Sequence, residues 1–394
     1  MKQTMKALVI RAEWAPKPDY KPNEWEIRER IALRANKVYK NPTWAVENDF
    51  PVPKIEPDEV MVRVKSSGVC GSDVHMLRKS EDGYTFFGGW AGFPCVPGHE
   101  FAGIVEEIGS KVDNVKPGDL VTVEEVQYCG KCDACRAGWM NCCKNMTQLG
   151  FETRNPGAMG EYIKAKDKFV YSLQPLKGAY ATDDEILEAG SLVEPTSVAY
   201  EGLFSLGGGL RNPGGHVAIF GAGPIGLACI QLLKTSGAAK IVVFEPMKSR
   251  AKLAKTMGAD YVFDPTKQDQ SPREMIRDVT NGRGCAMLVE AAGAQSVTIP
   301  AMVGSLEAAG RIVNIGMSGD RPSLDMLTLQ YSEGSICGSM GHSGHGDFGN
   351  VINLMGAKRI DMRPAITSRY KLDDAVKAII SADQGNDAKV VVKL

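Results

Sequence analysis

His216-Val217-Ala218-Ile219-Phe220-Gly221-Ala222-Gly223-Pro224-Ile225-Gly226 decides the fold. A short apolar strand, His216–Phe220, runs straight into a glycine turn. An apolar stretch of helical length follows, from Ile225 to Ser236, and a second apolar strand, Lys240–Phe244, comes after it. Strand, turn, helix and strand in this order predict a βαβ unit with parallel strands. Further alternation through Leu288–Glu290 and Arg311–Ile315 extends the prediction to a parallel sheet covered by helices.

The turn has the pattern G-x-G-x-x-G, which is weak alone but specific between a strand and a helix. In that context Gly221 makes the tight turn, Gly223 lets the backbone approach a pyrophosphate, and Gly226 lets helix and strand pack closely. Pro224 and Ile225 open the helix, whose free N–H groups favour an anion. Glu245 ends the next strand, where a carboxylate can accept hydrogen bonds from ribose hydroxyls and would repel a 2′-phosphate. NAD is therefore preferred over NADP, although Lys248 and Arg250 follow closely and keep NADP open.

Ten cysteines need an explanation in 394 residues, and five of them cluster between Cys129 and Cys143. Cys129-x2-Cys132-x2-Cys135-x7-Cys143 supplies four thiolates from one short loop, which closes a tetrahedral zinc site and makes it structural. Cys142 competes for the fourth place. Cys95, Cys229, Cys285 and Cys337 stand singly among apolar or small residues and read as buried thiols. Upstream, Cys70-Gly71-Ser72-Asp73-Val74-His75 and Gly98-His99-Glu100 bring together a thiolate, an imidazole and carboxylates. That donor set suits a zinc ion with one position left open.

Composition narrows the function classes. The net charge of −1 argues against a nucleic-acid surface. No apolar run reaches the length of a membrane span. Arg11 and Glu13 interrupt the only apolar stretch near the N-terminus, so a secretory leader is not expected and the cytoplasm is the expected location.

In these motifs the sequence resembles the zinc-dependent medium-chain alcohol/polyol dehydrogenases, from about Val52 to the C-terminus. The resemblance implies a GroES-like β-barrel catalytic domain joined to a Rossmann doubly wound parallel sheet. Its expected bounds are 1–195 for the catalytic domain with its zinc lobe, 196–340 for the Rossmann domain, and 341–394 for the return. It implies two Zn2+ per chain: a structural ion on Cys129, Cys132, Cys135 and Cys143, and a catalytic ion on Cys70, His99 and Glu100. Glu194 matches the additional carboxylate of the polyol branch, binding directly or through water. Asp73 is expected to accept the other ring N–H of His99, and Ser72 with His75 to carry the substrate proton to solvent. Ala291 and Ile315 would lie along the nicotinamide half of the cofactor.

The expected reaction moves hydride from a secondary hydroxyl of a polyol, sugar or cyclitol to NAD. The long segment Arg11–Phe50 is similar to that of bacterial members acting on inositol-derived ketones, the scyllo-inosose dehydrogenases. L-threonine 3-dehydrogenase, a simple secondary-alcohol dehydrogenase and a non-catalytic zinc-binding scaffold are the alternatives. The family habit implies a homodimer or homotetramer. Between the ligand motifs, Tyr84, Phe86, Phe87, Trp90 and Phe93 either line a substrate pocket or pack on the domain's own barrel. Glu24–Lys37 carries a partial helical stripe within a segment that is either a surface arm packed on the catalytic domain or a neighbouring subunit, or a wall of the substrate cleft formed by its aromatics. His342 and His345, in Gly341-His342-Ser343-Gly344-His345-Gly346, read as a flexible glycine-rich turn at the domain return, not as a metal site.

Overall fold

The computed structural model describes residues 3–319, 321–342 and 344–394. The chain forms two compact units, Met1–Glu194 with Ile366–Leu394, and Pro195–Ala365. Residues 341–365, assigned above to the return, therefore group with the second unit. Helix Asp347–Gly356 in that stretch buries Phe348, Val351, Ile352 and Met355.

The first unit is built on a sheet in the order Ile366–Lys371, Lys389–Lys393, Glu59–Gly68, Glu100–Ile108, Leu120–Val123, Val170–Ser172, with Tyr162–Lys166 also pairing with Glu59–Gly68. The returning strand Lys389–Lys393 inserts antiparallel beside Glu59–Gly68. Alternating residues Val60, Val62, Val64, Phe101, Val105, Val121 and Val123 meet in one apolar core, as a period of two requires for a sheet with one buried face.

The N-terminal segment packs on the first unit itself. Strand Thr4–Trp14 pairs antiparallel with Tyr39–Pro51, a partner that its polar residues and Pro42 hide in the sequence. The stripe over Glu24–Lys37 resolves into two short helices, Glu24–Glu29 and Ala35–Val38. Arg30 stops the first by entering the left-handed region (φ 55°). Glu26 then ties the segment together from a buried position. One oxygen accepts from Asn23 N (2.9 Å), and the other from Leu33 N (2.9 Å) and the Tyr20 hydroxyl (2.7 Å). Ile10, Val38, Tyr39, Phe93 and Phe151 share a core, so the segment packs on the aromatic loop.

The second unit has the expected parallel sheet, in the order Tyr261–Phe263, Lys240–Phe244, His216–Phe220, Cys285–Glu290, Leu306–Asn314, Ser335–Gly338. Every pairing in it is parallel. The strand order reverses beside His216–Phe220, the position where open sheets of this kind bind ligands. No helix among the described residues is long and apolar enough to cross a membrane.

Because three hydrogen bonds converge on buried Glu26, Glu26→Ala should destabilise the first unit by about 1–3 kcal/mol. Exposed Glu24→Ala should stay within about 0.5 kcal/mol of the parent. Urea denaturation followed by tryptophan fluorescence reads both, and equal effects would contradict the tethering role.

Candidate active site

The cysteine loop and the Gly98-His99-Glu100 segment converge in the first unit. Cys70, His99 and Glu100 place one donor atom each within 4.8 Å of one another. Cys70 caps the short helix Gly71–Leu77, and His99 and Glu100 lead into strand Glu100–Ile108. Asp73 joins the two segments: one carboxylate oxygen accepts from Cys70 N (2.9 Å), the other from Gly98 N (3.2 Å). Its nearest oxygen is 3.9 Å from His99 Nδ1, too far for the hydrogen bond expected of it. Asp73 therefore fixes the backbones that carry the donors, because both its oxygens point at main-chain N–H groups.

His99 Nδ1 is buried and has no hydrogen-bond partner among the described residues. Burial works to lower the pKa of this imidazole, yet the Cys70 sulfur, Asp73 and Glu194 together hold it well above its usual value. So many buried anions call for a cation. A divalent metal ion suits this donor set, and Cys70, His99 and Glu100 are the residues that would hold it. Glu194 is buried and acts electrostatically on His99, but it is not one of the three close donors.

Two residues in this site escaped the sequence reading. Lys389, 1% exposed, sends its ammonium to both oxygens of Glu100 (2.8 and 2.5 Å) and to Val69 O (3.0 Å). Burial opposes its charge, but Glu100 foremost and then Cys70 hold its pKa above the usual lysine value. The sequence signal was a lysine at the start of the apolar strand Lys389–Lys393. Gly68 leaves room for the pair, since a Cβ there would overlap the Glu100 carboxylate. Phe151 is the second: its ring lies 4.9 Å from that of His99 and stacks on Phe87 at 5.6 Å.

Those contacts divide the aromatic loop. Phe93 packs into the unit's own core against Tyr39 (4.8 Å), and Tyr84 is buried. Phe87 reaches His99 through Phe151, while Phe86 is 54% exposed and lies 6.4 Å from His75. Ser72 and His75 share the helix Gly71–Leu77 at a spacing of three, which puts them on one side. The Ser72 hydroxyl has no hydrogen-bond partner among the described residues. His75 is exposed at the surface, and desolvation of its ring, then Arg78, lowers its pKa from the usual imidazole value.

The cysteine lobe gathers Cys129, Cys132, Cys135 and Cys143, with Cys142 exposed. Cys132 Sγ lies 3.6 Å from Cys135 Sγ and 3.9 Å from Cys143 Sγ. Disulfides need about 2.05 Å, whereas a zinc–thiolate tetrahedron with bonds of about 2.3 Å has edges of about 3.8 Å. The sulfurs thus fit one closed metal site. Backbone N–H groups of Lys131 and Cys132 pull the Cys129 thiol down to about 6, which favours the thiolate a metal needs.

In the second unit the glycine motif forms a tight turn between strand His216–Phe220 and helix Pro224–Thr235. Gly221 sits at φ 95°, which favours glycine. A Cβ on Gly226 would strike the Gly221 carbonyl, and one on Gly223 would meet open space, the cradle a pyrophosphate needs. Pro224 and Ile225 begin helix Pro224–Thr235. Glu245 is buried, one oxygen accepting from Ala222 N and the other from Met247 N, both at 2.8 Å. Arg250 lies half-buried on helix Lys248–Thr256. Ala291 and Ile315 lie on loops tied by Glu290, a residue the sequence reading passed over. Its carboxylate accepts from Ala292 N (3.2 Å), Gly293 N (3.2 Å) and Ala294 N (3.3 Å), and its carbonyl from Ile315 N and Gly316 N (2.9 Å each).

Comparison with known proteins agrees with this picture. Residues 56–175 match the alcohol dehydrogenase GroES-like domain, and residues 224–357 match the zinc-binding dehydrogenase family. The chain is 39% identical over 381 residues to scyllo-inosose 3-dehydrogenase of Thermotoga maritima, covering 94% of each chain. It is 34% identical to L-threonine 3-dehydrogenase of Caldanaerobacter subterraneus, covering 86% of this chain and 93% of the relative. A solved Thermotoga maritima structure described as an alcohol dehydrogenase superposes with a TM-score of 0.94 at 36% identity, covering 99% of this chain and all of that one. The chain belongs to the zinc-dependent alcohol/polyol dehydrogenases, with a GroES-like domain and a Rossmann domain, and its family chemistry is dehydrogenation.

Removing one partner of a buried ion pair costs about 3–5 kcal/mol. Lys389→Met should therefore lower stability against urea by that order, while the exposed Arg28→Ala should cost under about 1 kcal/mol. In the lobe, Cys143→Ser should lose one zinc per chain by elemental analysis and Cys142→Ser none. The opposite pattern would mean that Cys142 is the fourth ligand.

Proposed function

We propose that this chain oxidises a secondary hydroxyl of a cyclitol or related polyol with NAD, or reduces the corresponding ketone, inosose-type substrates being the first choice. The carrying observation is the 39% identity to scyllo-inosose 3-dehydrogenase, which covers 94% of this chain. That coverage leaves out fewer residues than the segment Arg11–Phe50 contains, so the relative shares at least part of it. L-threonine is the second reading, supported by 34% identity to an L-threonine 3-dehydrogenase.

Two zinc ions per chain are part of the proposal, one on Cys70, His99 and Glu100 with Glu194 nearby, the other on the four cysteines of the lobe. The first would supply a Lewis acid to the substrate oxygen, and NAD, when bound, accepts the hydride. The chain's own residues do the rest. Asp73 holds the Cys70 and Gly98 backbones, so the donors need little reorganisation. Phe151 covers one face of His99 and restricts water there. Ser72 and His75 take the hydroxyl proton outward along one side of their helix. Glu245 favours NAD, because a 2′-phosphate would meet a buried carboxylate pinned by Ala222 and Met247. The proposed assembly is a homodimer or homotetramer, supported by Trp139, 45% exposed on the cysteine lobe.

NAD reduction at 340 nm with sorbitol, xylitol, myo-inositol, scyllo-inosose, L-threonine and 2-butanol tests the substrate class. A cyclitol or its ketone should give the highest kcat/KM. A preference for L-threonine would replace the first reading by the second. Glu245→Ser should raise kcat/KM for NADP relative to NAD by at least about tenfold, on the scale of one interaction of about 1.4 kcal/mol.

Protonated His75 cannot accept the substrate proton, so oxidation should slow as pH falls through the His75 pKa. That midpoint should lie below the usual imidazole value of 6.5, since desolvation of the ring lowers it. His75→Asn should slow turnover and remove this step from the pH–rate profile. An unchanged profile would exclude His75 from the relay.

A further inference from the structure

The second unit carries a group of donors that the dehydrogenase chemistry does not use. Helix Val193–Tyr200 widens into a π-turn over Glu201–Leu206, and such turns are frequent at functional sites. Glu201, at its start, is completely buried. Asp347, the first residue of helix Asp347–Gly356, is 2% exposed. His345 completes the group: its Nδ1 lies 3.2 Å from one Glu201 oxygen, and its side chain is 31% exposed. One donor atom from each of the three lies within 4.8 Å of the others. His345, in the glycine-rich turn, thus lies beside two buried carboxylates. His342 in the same turn is fully buried against Phe348, 4.7 Å away. Ser343 lies outside the described residues.

The hydrogen bonds leave the two carboxylates short of donors. Ser205 Oγ donates to Asp347 Oδ1 (3.0 Å), and His345 serves one oxygen of Glu201. The remaining oxygens, Glu201 Oε1 and Asp347 Oδ2, are buried with no hydrogen-bond donor among the described residues. Buried acceptors without donors are costly, and buried anions more so.

We infer that Glu201, His345 and Asp347 form a further divalent-metal site, separate from the two zinc sites proposed above. Two carboxylate oxygens and one imidazole nitrogen, without thiolate, suit Zn2+ or Mn2+. Metal–ligand bonds of about 2.0–2.2 Å put neighbouring donors about 3–3.5 Å apart, and the His345–Glu201 separation falls in that range. Three protein donors leave positions for water. Partly exposed His345 gives the ion a route in. The ion would pin the π-turn to the start of helix Asp347–Gly356.

The competing occupant is a proton shared by the two carboxylates, since burial and then Glu201 push the Asp347 carboxyl up to about 7. Elemental analysis of the full chain, dialysed first against Zn2+ or Mn2+ and then against metal-free buffer, separates the two. The parent should retain one more equivalent of Zn2+ or Mn2+ than His345→Ala and than the double variant Glu201→Gln/Asp347→Asn. Anomalous scattering at the metal edge should place that ion between Glu201 and Asp347. The difference between parent and variants does not depend on whether the thiolate sites fill. Should the double variant fail to fold, His345→Ala carries the comparison, because its side chain is the exposed one. Equal metal content in the parent and a folded variant, or no anomalous peak at these residues, would overturn the metal site and leave the shared proton.

Discussion

The first unit is organised around a concentration of buried anions that the protein's own cations only partly offset. Cys70, Asp73, Glu100 and Glu194 surround His99 and Lys389, in an interior where unpaired charge is expensive. Lys389 answers Glu100, and backbone N–H groups answer Asp73. What remains is a sulfur and an imidazole whose Nδ1 has no partner among the described residues, which together with Glu100 would suit a metal ion.

This constraint accounts for features that look unrelated along the chain. The C-terminal strand must return to the first sheet, because Lys389 reaches Glu100 across 289 residues of sequence. Gly68 must be small because the ion pair lies against it. Phe151 and Phe87 place apolar rings beside buried His99, where a low local dielectric strengthens charge interactions. The N-terminal segment packs on Phe93 and Phe151 and thus reaches the site through the same aromatic cluster.

The second unit applies the same physics with hydrogen bonds. Glu290 and Glu245 are buried carboxylates satisfied by backbone N–H groups of the loops they hold. Each shapes a turn next to the glycine motif at almost no electrostatic cost, because charge-assisted bonds to N–H replace water. Glu201 and Asp347 lack that compensation, which sets them apart from the other buried acids of this unit.

The sequence by itself determined the features written in short spacings. The glycine fingerprint, the four thiolates and the Cys70 and His99 motifs are local, since the chain needs only a turn or a helix end to assemble them. The parallel sheet was legible as well, because fully buried strands read as apolar runs. Tertiary structure decided what depends on distant partners: the second strand of the N-terminal hairpin, Asp73 gripping two backbones in place of an imidazole, Lys389 on Glu100, Phe151 on His99, and the boundary at Ile366. In each case the residue type fixes which interactions are possible. The partner that burial brings within 3 or 4 Å fixes which one forms, and the fold alone supplies it.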